Sequence, residues 1–144
     1  MDPSPVLVRR NSWGSFTAVN ARGAEITMGR AHEGAAFTPV ELLMAAIAGC
    51  AGLSAERAAD RRLGENAAMT VRVEATKDEE GNRLSSVRLS LELDPEALGR
   101  LDEDGRAELA AVLLRAVERG CTVSRSVEEG LPVSVTTDVP ETAG

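Results

Sequence analysis

The feature that most constrains this fold is the uncharged run Leu42–Leu53, which directly follows a strong helix-start signal. Thr38 and Glu41 have the three-residue spacing of a capping box, in which each satisfies a backbone N–H of the other. Pro39 occupies the first helical position, where its missing N–H costs nothing. We therefore predict a helix over Pro39–Leu63. A helix that is apolar on all sides is a buried one, so we expect it at the centre of the protein.

The same run is an unlikely membrane span by its length. It is shorter than the roughly 20 residues that a bilayer requires, and charged residues follow at 56, 57 and 60–62. Gly64 is the expected C-cap of the helix. The sequence therefore predicts a core helix and no membrane partner. This helix carries a cysteine, Cys50, near its centre.

Length and charge limit the remaining possibilities. A chain of 144 residues predicts one domain, 1–144, with flexible tails at 1–4 and 140–144. The net charge of −7 argues against nucleic-acid binding, which needs a clustered basic face. The first residues are acidic and proline-rich and resemble no export signal, so we expect a cytoplasmic protein.

The order of the predicted elements indicates the fold class. Alternating apolar residues, turn residues and helical periodicity predict a β-meander, the long central helix, two alternating strands, two shorter helices and a last strand. The order βββ–α–ββ–α–α–β is an α+β fold. The stretches concerned are 6–10, 15–19, 25–28, 69–76, 87–93, 98–101, 109–117, 121–129 and 133–135.

The sequence excludes several kinds of site. It contains one histidine, His32, no CxxC and no phosphate-binding glycine motif, so we expect no metal and no cofactor. Two cysteines remain, Cys50 and Cys121. In a reducing compartment they are either inert core thiols or a redox pair, and the residues alone leave both readings open.

The two thiols have different sequence surroundings. Cys121 follows a helix break at Gly120 and precedes a short helical segment, whose first N–H groups would favour its thiolate. Cys50 has no charged neighbour in sequence, so its activation requires a positive group from elsewhere in the fold. The candidates are Arg9, Arg10 and Arg30.

Two motifs resemble those of one family. The segment Thr38–Leu43, followed by Ala48-Gly49-Cys50, resembles the "S/T-P-x-E-L-L … G-C" helix of the OsmC/Ohr family, the osmotically inducible and organic hydroperoxide resistance proteins. Cys121-Thr122-Val123-Ser124 is similar to the family's "C-P/S-V-S" motif. The resemblance covers essentially the whole chain and is closer to the branch with P-x-E-L-L.

This resemblance implies an OsmC-like fold in an intertwined homodimer, with two central helices wrapped by two sheets. It also implies a thiol-dependent reduction of organic hydroperoxides. Cys50 would attack the peroxide and become a sulfenic acid, and Cys121 would resolve it to a disulfide. A dithiol, in some members a lipoylated protein, would then restore both thiols.

Three departures from the best-characterised members keep an alternative open. Val40 stands where those members have a glutamate, and Glu41 lies about half a turn of the helical wheel from Cys50. Glu41 is therefore better interpreted as a helix cap than as a catalytic partner. The turn that carries the family's active-site arginine is matched only loosely here, and Arg10 is the arginine chosen to activate Cys50. The aromatic residues that line the family's pocket are mostly missing. The alternative is a non-enzymatic dimeric domain that binds a small apolar ligand, and a thiol-exchange role is a third possibility.

Overall fold

The computed structural model describes residues 1–32 and 36–140. Part of the glycine- and alanine-rich loop before the central helix, and four residues of the predicted flexible tail, lie outside this range. The elements are β1 Leu7–Ser12, β2 Ser15–Val19, β3 Glu25–Gly29, α1 Pro39–Leu63, β4 Met69–Asp78, β5 Arg83–Leu93, α2 Pro95–Gly99, α3 Glu103–Gly120 and α4 Thr122–Glu129. The α+β fold with a meander and a long central helix is confirmed.

Helix α1 has the predicted boundaries, and local interactions set both. The Thr38 hydroxyl accepts the backbone N–H of Glu41 at 3.1 Å, which satisfies one of the free donors of the first turn. At the other end Gly64 adopts φ 103°, a conformation that favours glycine, and its N–H donates to the Asp60 carbonyl at 3.0 Å.

One side of α1 builds the core. A stripe of mostly small residues at helical spacing is buried against α3 and β4. Small side chains let the helices approach closely, and Leu109 and Leu113 of α3 fill the space between them. The buried residues of α1 are Ile47, Ala48, Ala51, Ala55, Ala59 and Leu63.

The two sheets are separate and antiparallel. Strands β4 and β5 pair from Met69 opposite Leu93 to Asp78 opposite Arg83, and in both strands half-buried and exposed residues alternate. The predicted alternation of these two strands is therefore confirmed, and one face of the sheet is the more buried one. The other sheet has the order β1-β2-β3. Its second turn forms around Asn20, whose side-chain oxygen accepts two backbone N–H groups, and Gly23 adopts φ 88° there.

The β1-β2-β3 meander packs only sparsely on the rest of the chain. Its described link to the helical part is a short parallel bridge between Met28 and Phe37, where the Gly29 N–H donates to the Phe37 carbonyl at 2.9 Å. Strand β1 is exposed along its whole length. Several large apolar side chains of the meander face solvent in this single chain: Leu7, Val8, Phe16 and Ile26.

The prediction that α1 is buried on all sides is wrong for the single chain. Its uncharged half, Leu42–Leu53, exposes Leu43 and Leu53, and Val40 just before it is exposed as well. The physical reason is that the core elements cover only one side of the helix, while the meander lies away from the other. By length and composition alone α1 would be apolar enough to cross a membrane, a criterion that core helices of soluble proteins also meet.

Two further predictions need correction. The last strand predicted at Val133–Val135 is absent among the described residues, because the extended segment after α4 has no neighbouring strand to bond with and its apolar side chains are exposed. The short helix predicted at Leu98–Leu101 lies earlier. It starts at Pro95 because the Asp94 side chain accepts the Glu96 N–H at 3.1 Å.

Replacing Leu109 by alanine tests the core directly. Leu109 is 1% exposed and sits between α1 and β5, so Leu109→Ala should lower the free energy of unfolding by about 2–5 kcal/mol through lost burial and a residual cavity. The measurement is equilibrium unfolding in urea. The matched control is Leu114→Ala on the same helix, because Leu114 is 61% exposed. Equal effects of the two substitutions would contradict this core.

Candidate active site

Cys50 lies in the middle of α1 and is half-buried. One turn further along the helix, the Ser54 hydroxyl donates to the Cys50 carbonyl at 2.8 Å. A serine that bonds back to the preceding turn keeps its side chain close to the helix axis. The Ser54 side chain therefore occupies little space on the face of α1 that carries Cys50, and a neighbouring helix can pack close to it.

Cys121 occupies the junction between α3 and α4. Its backbone, at φ −84° and ψ 92°, leaves the helical region, so the chain changes direction at this residue. Its N–H still closes α3 on the Val117 carbonyl at 3.0 Å, and its carbonyl opens α4 by accepting from Arg125 at 3.1 Å. Cys121 is fully buried and stands at the N-cap position of α4.

A close approach of backbone to side chain brings the two cysteines together. A Cβ placed on Gly120 would lie 3.2 Å from Ser54 Oγ and 3.4 Å from Ser54 Cβ, tighter than ordinary contacts. Only glycine lets the end of α3 come this near to α1 without displacement. The two cysteines are therefore neighbours in the fold: Cys50 is among the groups that lower the pKa of the Cys121 thiol, and both thiols are free.

The surroundings of Cys121 favour its ionised form. Burial raises the pKa of this thiol, but hydrogen bonds from the Ser124 hydroxyl, the backbone N–H groups of Ser124 and Val123 and the Cys50 thiol outweigh it, so the net pKa lies below its ordinary value. Cys121 Sγ lies 3.0 Å from Ser124 Oγ. The N–H groups belong to the first turn of α4, as the sequence predicted for this cysteine.

A groove of about 490 Å³ is lined by residues one helical turn away from each cysteine in sequence, and neither cysteine is part of its wall. It runs between α1, β5 and α4, and its wall is largely apolar. It reaches Ile47, one turn before Cys50, and Ser124, one turn after Cys121. The other lining residues include Leu43, Leu84, Val87, Leu89 and Val127. A small apolar molecule in this groove would therefore lie near the thiols.

The structure does not bring Arg10 to Cys50 within one chain. The Arg10 guanidinium lies 5.7 Å from the centre of the Trp13 ring, and Arg30 lies 5.1 Å from the same ring. Arg10 Nε also donates to the Ser12 carbonyl at 3.3 Å. Both arginines belong to the meander and its end, which pack sparsely on α1. The activating role of Arg10 stays a prediction.

Glu41 lies at the start of α1, nine residues before Cys50, which is about 13 Å along the helix axis. Its backbone N–H is the group that Thr38 caps. Among the described hydrogen bonds none joins the Glu41 carboxylate to Thr38, so the capping box is formed in one direction only. This position is in keeping with Glu41 as a residue of the helix start. The described residues contain no cluster of three metal-binding side chains.

Comparison with known proteins identifies the family. The model of the OsmC-like protein family matches residues 32–136 of this chain. The chain belongs to the OsmC-like family. An uncharacterised protein of Mycobacterium tuberculosis H37Rv is 34% identical over 128 residues, which cover 89% of this chain and 91% of that protein. An uncharacterised protein of Mycobacterium bovis shows the same identity and coverage.

Solved structures support the OsmC-like fold. A hypothetical protein from Aquifex aeolicus matches with a TM-score of 0.66 and 18% identity, covering 90% of this chain and 89% of its own. The OsmC-like protein from Mycoplasma pneumoniae has a TM-score of 0.64 and 18% identity, with 88% of each chain covered. The organic hydroperoxide resistance protein OhrB of Bacillus subtilis has a TM-score of 0.56 and 20% identity, covering 86% and 89%.

Sequence reasoning missed three residues of this OsmC-like site. Ser124 lies within the cysteine motif but received no role, although its three-residue spacing from the N-cap is that of a capping pair. Ser54 and Gly120 set the distance between helices, and no local pattern marks them. In sequence, a glycine before a helix break indicates only a helix terminus. In the structure, the missing side chain of Gly120 also leaves the space into which Ser54 packs.

Gly120→Ala tests whether this close approach holds the thiol pair together. The added methyl group should push the α3–α4 junction away from α1 by a few tenths of an ångström and slow disulfide formation between Cys50 and Cys121 about threefold, because even a small misplacement lowers the effective concentration of one thiol at the other. The measurement is the rate of thiol loss during mild oxidation with diamide. Gly99→Ala is the control, since a Cβ there meets nothing within 4 Å. An unchanged rate in Gly120→Ala would contradict the interpretation.

Proposed function

We propose that this protein reduces organic hydroperoxides with its two cysteine thiols and so serves in the response to oxidative stress. The observation that carries the proposal is that Cys50 and Cys121 are neighbours in the fold, with Cys50 half-buried and the pKa of the buried Cys121 thiol lowered. Membership of the OsmC-like family supports it. The similarity in fold to an organic hydroperoxide resistance protein is further support.

The chemistry has three steps. The Cys50 thiolate attacks one peroxide oxygen, the O–O bond breaks, and the products are a Cys50 sulfenic acid and an alkoxide that takes up a proton to become an alcohol. The Cys121 thiolate then attacks the sulfenic sulfur, forming the disulfide and releasing hydroxide. A dithiol, which a lipoylated protein would provide, donates two electrons by thiol–disulfide exchange and leaves as its own disulfide. The cytoplasm, where thiols are kept reduced, suits this cycle.

A second copy of the chain is the proposed partner. Two surfaces lack cover in the single chain: the uncharged half of α1 and the apolar residues of the meander. A three-stranded sheet needs an apolar face packed on something to be stable, and a patch this apolar is typical of an interface. In a twofold dimer each meander would cover the other copy's α1, so the apolar surface of the meander and that of α1 would both be buried in one symmetric interface. Arg10 would then be supplied to Cys50 across the interface.

Mapping of the oxidised cysteines tests the reaction. Treating the reduced protein with t-butyl hydroperoxide should give a Cys50–Cys121 disulfide, detected by mass spectrometry of peptides. Cys50→Ser should abolish peroxide consumption. Cys121→Ser should leave one turnover, followed by over-oxidation of Cys50 to sulfinic and sulfonic acids, because no thiol resolves the sulfenate. Two free thiols after peroxide treatment would refute the proposal.

Sedimentation tests the dimer. The wild-type chain should sediment as a dimer, and Leu43→Lys should shift it to the monomer because the substitution puts a charge into the uncharged half of α1. Leu114→Lys is the control on α3, where the leucine is also exposed. Mixing Cys50→Ser with Arg10→Ala chains should recover activity above either parent, since a mixed dimer retains one site with both residues. A monomeric wild type would contradict this assembly.

A second candidate function rests on the groove beside the thiols. Its apolar wall and the valine at position 40, in place of the family's glutamate, favour a non-enzymatic dimeric domain that holds a small apolar ligand. Native mass spectrometry of the purified protein distinguishes the two. A ligand retained in the protein, together with cysteines that do not react with peroxide, would favour binding over catalysis.

A further inference from the structure

The two sulfurs of the site differ in access and in hydrogen bonding. In the single chain Cys121 is fully buried, whereas Cys50 is half-buried on α1. Ser124 Oγ lies 3.0 Å from Cys121 Sγ, and Ser124 also lines the groove between α1, β5 and α4. While Cys121 is a thiol, it donates to the serine oxygen. Once Cys121 is a thiolate, the hydroxyl can turn and donate to the sulfur.

We propose that Ser124 is a positioning residue that stabilises Cys121 as the leaving thiolate, so that the reducing dithiol attacks Cys50 Sγ when the disulfide is reopened. This inference rests on the proposed function, because it concerns the step that regenerates the thiols. It assigns a direction to a reaction that is formally possible at either sulfur.

The step balances as follows. One sulfur of the dithiol, as a thiolate, forms a bond to Cys50 Sγ while the Cys50–Cys121 bond breaks and its electron pair passes to Cys121 Sγ. The second sulfur of the reductant, on losing its proton, attacks its partner in the mixed disulfide and releases the Cys50 thiolate. The protein gains two electrons, and the reductant becomes a cyclic disulfide.

Two physical effects favour attack at Cys50. In thiol–disulfide exchange the thiol with the lower pKa leaves faster, and attack requires access along the line of the S–S bond. Cys121 is the thiol whose pKa the fold lowers, and it is also the buried one. Both effects therefore direct the incoming thiolate to the same sulfur, Cys50.

Charged groups do not account for the stabilisation of Cys121. The titratable partner among those that affect it is Cys50, which faces it from α1. On α4 the Arg125 guanidinium donates to the Arg119 carbonyl at 3.4 Å. The remaining contributors are the Ser124 hydroxyl and the N–H groups of the first turn of α4, so the hydroxyl is the one that a substitution can remove.

The same helix offers a matched control. Ser126 lies two residues further along α4, and its hydroxyl donates to the Thr122 carbonyl at 2.8 Å. Ser126→Ala removes a serine hydroxyl from the same helix without removing a partner of Cys121. Ser124→Thr retains the hydroxyl at the site and is the conservative variant that should restore the behaviour of the wild type.

The first measurement is a pH titration of Cys121 in the Cys50→Ser protein, in which the ultraviolet absorbance of the thiolate reports the ionised fraction. A lowered pKa means more thiolate at a given pH, so loss of a stabilising hydrogen bond moves the midpoint upward. Ser124→Ala should raise it by about one pH unit, as expected for a hydrogen bond to a charged group. Ser126→Ala and Ser124→Thr should leave it nearly unchanged. An unmoved midpoint in Ser124→Ala would overturn the role of Ser124.

The second measurement maps the site of attack. Protein oxidised with diamide is mixed with glutathione, a monothiol that cannot cyclise, and N-ethylmaleimide is added to block the released thiol. Mass spectrometry should find glutathione on Cys50 and the maleimide on Cys121. Ser124→Ala should slow the reaction about threefold, because the leaving group becomes more basic. Glutathione on Cys121 would overturn the proposed direction.

These outcomes separate the inference from the function it rests on. Diamide forms the disulfide without peroxide, so a protein that fails to react with hydroperoxides still reports the site of attack. If peroxide oxidises the thiols and glutathione nevertheless adds to Cys121, the peroxidase proposal stands and this inference fails. The titration of the reduced protein tests Ser124 independently of both.

Discussion

The site depends on the close approach of Gly120 to Ser54, where a side chain on residue 120 would lie closer to Ser54 than ordinary contacts allow. Helix α1 provides the first thiol, and the junction of α3 with α4 provides the second. The two cysteines become neighbours because the last residue of α3 has no side chain and because Ser54 is folded back onto its own helix. The distance between the thiols is thus a property of helix packing, which the buried alanines of α1 maintain along the rest of the interface.

The fold gives chemically identical side chains unequal properties. Cys121 is placed where a helix begins, so N–H groups that have no partner within α4 point toward its sulfur. Cys50 lies in the middle of a helix whose N–H groups are all used, and its sequence neighbours carry no charge. A protein can therefore assign different tasks to two cysteines through backbone position alone. The fold lowers the pKa of the buried member, Cys121, and leaves Cys50 the more accessible of the two.

Local chemistry made much of this fold predictable. Thr38, Pro39 and Gly64 set both ends of α1 through interactions within a few residues, and alternation identified β4 and β5. The errors concern interactions over long range: the segment around Val133 alternates like a strand but has nothing to pair with, and α1 is apolar on a side that the same chain leaves open. The contact of Cys50 with Cys121 came from family resemblance, because a separation of 71 residues in sequence contains no information on distance in space.

The placement of the single tryptophan has a practical consequence. The chain has one tryptophan and no tyrosine, and Trp13 lies at the β1–β2 turn between the guanidinium groups of Arg10 and Arg30, with 73% of its surface exposed. The intrinsic fluorescence of Trp13 therefore depends on the environment of the meander and gives no signal from the aliphatic core around Leu109. The emission spectrum reports whether the meander is docked, whereas circular dichroism follows the helices. If the two signals change at different points of an unfolding experiment, the meander and the helical part unfold separately.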